Sequence, residues 1–141
     1  MLNPEDKEMQ ALSEVADYMA RNVKSVPPET TIQEAGQVMA KFNIGSLLVV
    51  KGSEYAGIIT ETDLARKGMA KGINPEKTTV QALMSSPILS IESHKTVEEA
   101  HALMKAKGVR HLGVTEAGKI VGLVSLSDLV RYYTSYFQMS E

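Results

Sequence analysis

A chain of 141 residues with 43% hydrophobic content can bury one sizeable core, which points to one compact unit. Its formal net charge of −2 gives no basis for bulk attraction to nucleic acid or to an anionic membrane. The absence of cysteine excludes disulfides, thiolate metal sites and cysteine nucleophiles.

The N-terminus, Met1-Leu2-Asn3-Pro4-Glu5-Asp6, is acidic and lacks the apolar run of a signal peptide. No stretch approaches the ~20 apolar residues of a membrane span, so the expectation is a cytoplasmic protein without membrane insertion. Asn3 before Pro4 reads as an N-cap followed by a first-turn proline. Met9, Leu12, Val15, Ala16 and Met19 continue as a helical stripe.

A short extended segment, Val23–Val26, ends at Pro27-Pro28. Thr30 or Thr31 can cap the next helix, with Glu34 near the capping-box position and Ile32, Ala35, Val38, Met39 and Phe42 on its buried face. Leu47–Val50 and Tyr55–Ile59, separated by Lys51-Gly52-Ser53-Glu54, carry a hairpin signature. A helix is predicted from Thr60–Asp63 to Lys71-Gly72, where glycine offers a stop.

The same order then recurs: a helix at Val80–Met84, a strand at Ile88–Ile91, a helix at Thr96–Lys107, a hairpin from Leu112–Thr115 to Ile120–Ser125, and a helix at Ser127–Tyr136. Shifted by 65 positions, residues 15–64 align with 80–129 without a gap, and twelve residues coincide. Chance gives roughly three, so the chain contains an internal duplication. The coincidences include Met19/Met84, Thr31/Thr96, Glu34/Glu99, Gly57/Gly122 and Asp63/Asp128. The predicted fold is mixed α/β (α+β), two β-α-β-β-α repeats packed about a pseudo-twofold axis and sharing a core. Residues 1–14 form an N-terminal helical extension, 15–72 the first motif, and 73–141 the second motif with its C-terminal helix. The aromatic tail, Tyr132 to Phe137, either packs back as a helix or forms a dimer contact.

Thr60/Asp63 and Ser125/Asp128 each follow an apolar strand and open a predicted helix. Helix capping is one reading of these pairs. The other is a ligand site, with the hydroxyl and helix N-terminus on a phosphate or ribose oxygen and the carboxylate on a ribose diol. The two are compatible. Arg110-His111 stand where the first repeat has Gly45-Ser46. They read either as solvated surface residues or as an anion contact, since a guanidinium fork matches phosphate oxygens. His94 and His101 have no ligand-type spacing, so no metal site is expected. No nucleophile elbow, Walker A, HExxH or GxGxxG motif occurs, and no catalytic residue is assigned.

The ordered set resembles a tandem pair of cystathionine β-synthase (CBS) domains, a Bateman module, from about Val15 to Val130. It rests on Val15–Met19 and Val80–Met84, on Gly45–Val50 and Val109–Val114, and on Gly57–Asp63 and Gly122–Asp128. The resemblance implies a stand-alone, non-enzymatic regulatory module. It would respond to AMP, ADP, ATP or S-adenosylmethionine as a regulatory ligand, with no obligatory cofactor. By that resemblance the stronger site draws on Thr60, Asp63, Pro87, Ile88, Leu89, Val109, Arg110 and His111. The weaker draws on Asn22, Val23, Lys24, Ile44, Gly45, Ser46, Ser125 and Asp128, with Lys24 as a point charge. Relatives of the AMP-activated kinase type carry the basic pair as His-Arg, and the order here is reversed. A homodimer and a target enzyme or transporter are the implied partners. The alternative is an interaction module with vestigial sites.

Overall fold

A computed structural model describes residues 3–4 and 13–140, with side chains as far as Thr134. Elements appear in the order β1 (Ser25–Val26), α1 (Ile32–Phe42), β2 (Ser46–Lys51), β3 (Glu54–Thr60) and α2 (Glu61–Asp63). A π-helical stretch, Leu64–Gly68, and a 3-10 turn, Met69–Lys71, follow α2 directly. Next come α3 (Val80–Leu83), β4 (Ser90–Glu92), α4 (Val97–Lys107), β5 (His111–Glu116), β6 (Lys119–Ser125) and α5 (Leu126–Ser140).

The strands form two three-stranded sheets, β1-β2-β3 and β4-β5-β6. In each, the first strand is parallel to the second and the last two form an antiparallel hairpin. A parallel pair needs a crossover, and one helix supplies it: α1 between β1 and β2, α4 between β4 and β5. Both hairpins bulge at the matched step, Val49/Val50 and Val114/Thr115.

Local chemistry repeats as well. Thr31 and Glu34 form a capping box on α1, Glu34 N donating to Thr31 Oγ1 at 3.1 Å and Thr31 N to Glu34 Oε1 at 3.1 Å. The Thr31 backbone N–H, then its hydroxyl, holds the Glu34 carboxyl below its usual range. Thr96 and Glu99 form the matched capping box on α4. Asn43 and Gly108 end the two helices in the left-handed conformation.

The chain divides into two compact units that do not follow the repeats: Val23–Ile88 forms one, and the stretch through Asn22 joins Leu89 onward in the other. Each unit has its own hydrophobic cluster, so the expectation of one shared core gives way to two. The opening segments are exchanged. Val15, Tyr18 and Met19 pack into the cluster of Val97, Met104, Leu112 and Val124. Val80, Leu83 and Met84 pack into that of Ile32, Met39, Leu47 and Ile59. A single repeat leaves part of a sheet face uncovered, and the opening segment from the other repeat fills it.

The exchange is fixed by matched backbone bridges. Ala20 and Leu123 exchange N–H···O bonds of 2.8 and 3.0 Å, and Ser85 and Ile58 exchange bonds of 2.9 and 3.0 Å. Both rest on a glycine. A Cβ at Gly122 would stand 2.6 Å from Ala20 O, and one at Gly57 2.5 Å from Met84 Sδ and 2.9 Å from Ser85 O.

Two expectations change. The N-terminal stripe ends at Val15–Asp17 in a 3-10 turn. Glu14 is extended and bridges Thr96, so an α-helix cannot run through it; Met9 and Leu12 lie outside the described residues. The helix predicted from Thr60 to Lys71 is instead three pieces, α, π and 3-10, ending at left-handed Gly72. The aromatic tail does pack back within its unit: Tyr132 is buried, edge-on to Tyr18 at 5.0 Å, and Tyr133 lies against His101. Tyr136 and Phe137 have side chains outside the described set.

Candidate functional site

Each sheet brings three chain segments together at one end. In the Val23–Ile88 unit, Lys24 O accepts from Leu48 N at 3.1 Å, Ser46 stands opposite Thr60 in register, and Glu61 N donates to Gly45 O at 3.0 Å. Val23, Lys24, Ile44, Gly45, Ser46, Thr60 and Asp63 therefore share one sheet end. In the other unit Leu89 O accepts from Gly113 N at 2.9 Å, His111 stands opposite Ser125, and Leu126 N donates to Arg110 O at 2.8 Å. That gathers Leu89, Val109, Arg110, His111, Ser125 and Asp128. Pro87 and Ile88 belong to the first unit and Asn22 to the second. We refer to these two sheet ends as the Gly45 and Arg110 stations.

The hydroxyl–carboxylate pairs are capping boxes. Asp63 N donates to Thr60 Oγ1 at 3.3 Å, while Asp63 Oδ2 accepts from Thr60 N at 3.0 Å and Thr60 Oγ1 at 3.2 Å. Asp128 N donates to Ser125 Oγ at 3.1 Å, and Asp128 Oδ2 accepts from Ser125 N at 2.8 Å. Of the two readings open in the sequence, capping is thus realised at both places. It does not exhaust the carboxylates, because each Oδ1 is still free to accept from elsewhere.

Those Oδ1 atoms are held by cations, which sequence reasoning missed. Lys67 Nζ lies 3.0 Å from Asp63 Oδ1 and also donates to Leu83 O at 3.1 Å and Ser85 Oγ at 3.4 Å. Arg131 Nη2 lies 3.4 Å from Asp128 Oδ1 and donates to Tyr18 O at 3.3 Å. Tyr18 and Leu83 are matched across the repeats, but Lys67 and Arg131 are not: the partner of Arg131 is Arg66. The Asp63–Lys67 pair spans i,i+4 and runs into the π stretch, whereas Asp128–Arg131 spans i,i+3 on α5, and the position matching Lys67 is Tyr132. Both clamps join the motif's acid to the exchanged segment.

The surfaces beside the clamps differ. Arg110 is exposed, and no carboxylate among the described residues pairs with it. His111 is half-buried. At the matched place Gly45 has no side chain, and the Glu61 carboxylate lies against it. The Lys24 ammonium sits 4.4 Å above the Phe42 ring, a cation–π contact at the end of α1. Among the described residues no group of three or more His, Asp or Glu side chains converges as a metal site, and no helix is long and apolar enough to cross a membrane.

This arrangement matches a known class. The family model of the CBS domain matches residues 15–70 and again 80–135. The chain belongs to the CBS-domain family, as a tandem pair. The CBS domain-containing protein YhcV of Bacillus subtilis is 34% identical over 118 residues, 84% of each chain. An uncharacterized protein of Methanopyrus kandleri is 34% identical over 119 residues, and the match spans 83% of this chain but 61% of that longer one. Among solved structures, a putative signal-transduction protein with CBS domains from Burkholderia ambifaria superimposes with a TM-score of 0.82 at 33% identity, covering 87% of this chain and 95% of the other. A hexameric CBS-CP12 protein from bloom-forming cyanobacteria superimposes at 0.78 with 25% identity, over 84% of this chain and 67% of that one. The CBS family is one of regulatory modules.

Proposed function

We propose that the chain is a non-catalytic sensor that binds adenosine compounds (AMP, ADP, ATP or S-adenosylmethionine) and signals by a change of conformation or self-association. One observation carries this reading. In each unit a hydroxyl–carboxylate motif stands in register with the residues that open the middle strand, Ser46 opposite Thr60 and His111 opposite Ser125. A ribose hydroxyl donating to Asp63 Oδ1 or Asp128 Oδ1 competes with Lys67 or Arg131. Those cations also hold the backbone of the exchanged segments, so a ligand on the acid would be felt at Leu83–Ser85 or Tyr18. Such a ligand shifts a conformational balance only through its difference in affinity between states. At a hundred-fold excess over its dissociation constant it stabilises the binding state by about 2.7 kcal/mol.

Titration calorimetry with the four ligands on the parent, Asp63→Ala and Asp128→Ala tests this. Heat on the parent that is lost in one or both variants supports the reading. No heat from any adenosine ligand at millimolar concentration overturns it.

A second reading has its own support: both carboxylates are already satisfied internally, as befits structural caps. In it the chain is an interaction module that docks a target enzyme or transporter or pairs with itself. Val130, 56% exposed on α5, and Met69, 81% exposed, are apolar surface available for that. The hexameric cyanobacterial neighbour lends weight to self-association in either reading. A homodimer is the simplest closed form. A strictly monomeric mass at tens of micromolar overturns it.

A further inference from the structure

The two stations share a framework and differ in charge at one matched place, Gly45 with Glu61 against Arg110 with Leu126. At Gly45, an added Cβ would stand 3.3 Å from both the Glu61 carboxyl carbon and Oε1 and 3.6 Å from Oε2, so the carboxylate lies directly on bare backbone. The 3.0 Å bond from Glu61 N to Gly45 O fixes the two residues to each other. Glu61 is exposed, and no cation among the described residues pairs with it. Lys24, expected as a point charge at this site, holds its ammonium over Phe42. At the matched place the same backbone bond, Leu126 N to Arg110 O at 2.8 Å, ties an apolar residue to an arginine.

We infer that Glu61 is a specificity-determining residue: the Gly45 station accepts an adenosine compound without net negative charge, whereas the Arg110 station takes the phosphorylated one. The inference rests on the adenosine-sensing reading above and names the ligand class at each end. A phosphate beside Gly45 meets the Glu61 carboxylate, where the matched place offers the Arg110 guanidinium. The sulfonium and ammonium of S-adenosylmethionine meet an attractive charge at the same point. For a partly solvated charge a few ångströms away, the effect is roughly tenfold in affinity at low salt and fades as ions screen it.

The test uses the full chain, isotope-labelled, titrated with AMP and separately with S-adenosylmethionine. Calorimetry reads affinity, and the amide shifts of Gly45 and Ser46 report which station responds. In the parent, S-adenosylmethionine moves those amides at lower concentration than AMP does. In Glu61→Gln, AMP affinity at that station rises roughly tenfold, S-adenosylmethionine affinity falls, and the preference therefore falls by more than ~10-fold, the differences shrinking at ~0.5 M salt. Glu61→Lys extends the trend in the same direction. Because Glu61 is exposed, both variants are expected to fold, which a thermal melt verifies. Binding of both ligands with a preference that Glu61→Gln alters by less than twofold overturns the inference and leaves the sensing reading intact. No binding by the parent or either folded variant overturns both.

Discussion

Asp63 and Asp128 are the same residue of a duplicated motif, and each is clamped by a cation that also holds a carbonyl of the exchanged segment. The cations, though, come from positions one residue out of step: Lys67, beneath a π turn, and Arg131, on an α-helix. Asp63 is nearly buried, its side chain 10% exposed, whereas that of Asp128 is 20% exposed and Arg131 is largely in water. The duplication has preserved a geometry of acid, cation and carbonyl rather than the residues that make it. Where geometry is not required, at Gly45/Glu61 against Arg110/Leu126, the repeats have diverged in charge. The difference separates what the fold needs from what is left to set specificity.

The sharpest way to break the parallel between the units is at the glycines beneath the exchanged segments. Gly122→Ala forces a Cβ against a backbone oxygen that cannot turn aside, and it is expected to cost roughly 2–3 kcal/mol. Gly57→Ala meets a methionine sulfur, which can swing away, and Ser85 O at 2.9 Å, a milder backbone clash than the 2.6 Å at Gly122, and is expected to cost roughly 1–2 kcal/mol. Urea denaturation midpoints order the two. A larger loss for Gly57→Ala would mean that Met84 and Ser85 together yield less than Ala20 does.

The clamps come next. Lys67→Met leaves an oxygen of nearly buried Asp63 without its partner, for roughly 1–2 kcal/mol. Arg131→Met breaks a more exposed pair and should cost less than about 1 kcal/mol. Equal losses on chemical denaturation would show that burial of the carboxylate does not decide the strength of the clamp.

Much of this was legible in the sequence. The order of elements, both hairpins and the Thr31/Glu34 cap follow from periodicity and from local hydrogen-bonding chemistry, which short-range spacing encodes. Thr60 and Ser125 were identifiable for the same reason. The exchange of opening segments was not, because Val15 and Val80 are apolar residues that would suit either cluster, and only tertiary packing chooses. The π stretch leaves no signature in Leu64–Gly68, and the pairing of Asp63 with Lys67 rather than Arg66 could not be read from spacing either. Glu61 against Gly45 was hidden because a lone exposed acid after a strand reads as ordinary surface.

On the ligand side, the resemblance assigns Asp63, rather than Asp128, to the site that contains Arg110. A double-mutant cycle decides between them. Arg110→Ala should weaken AMP binding roughly tenfold. Non-additivity with Asp128→Asn, at Arg110's own sheet end, is the pattern expected of the Arg110 station, and non-additivity with Asp63→Asn instead moves the acid to the one the resemblance assigns.

The smallest effects separate the two roles left open for the hydroxyls. Thr60→Ala and Ser125→Ala each remove a cap, for roughly 0.5–1 kcal/mol of stability. Thr60 both accepts from Asp63 N and donates to Asp63 Oδ2, whereas only the accepting bond is present at Ser125. Thr60→Ala is therefore expected at the upper end of that range and Ser125→Ala at the lower. If capping is the hydroxyl's only task, AMP affinity measured on the folded variants stays within twofold of the parent. If Thr60 also meets a phosphate or ribose oxygen, Thr60→Ala lowers AMP affinity several-fold beyond what its stability loss accounts for, and Thr60→Ser restores it. Affinity unchanged at both positions would leave the carboxylates and Arg110 to hold the nucleotide alone.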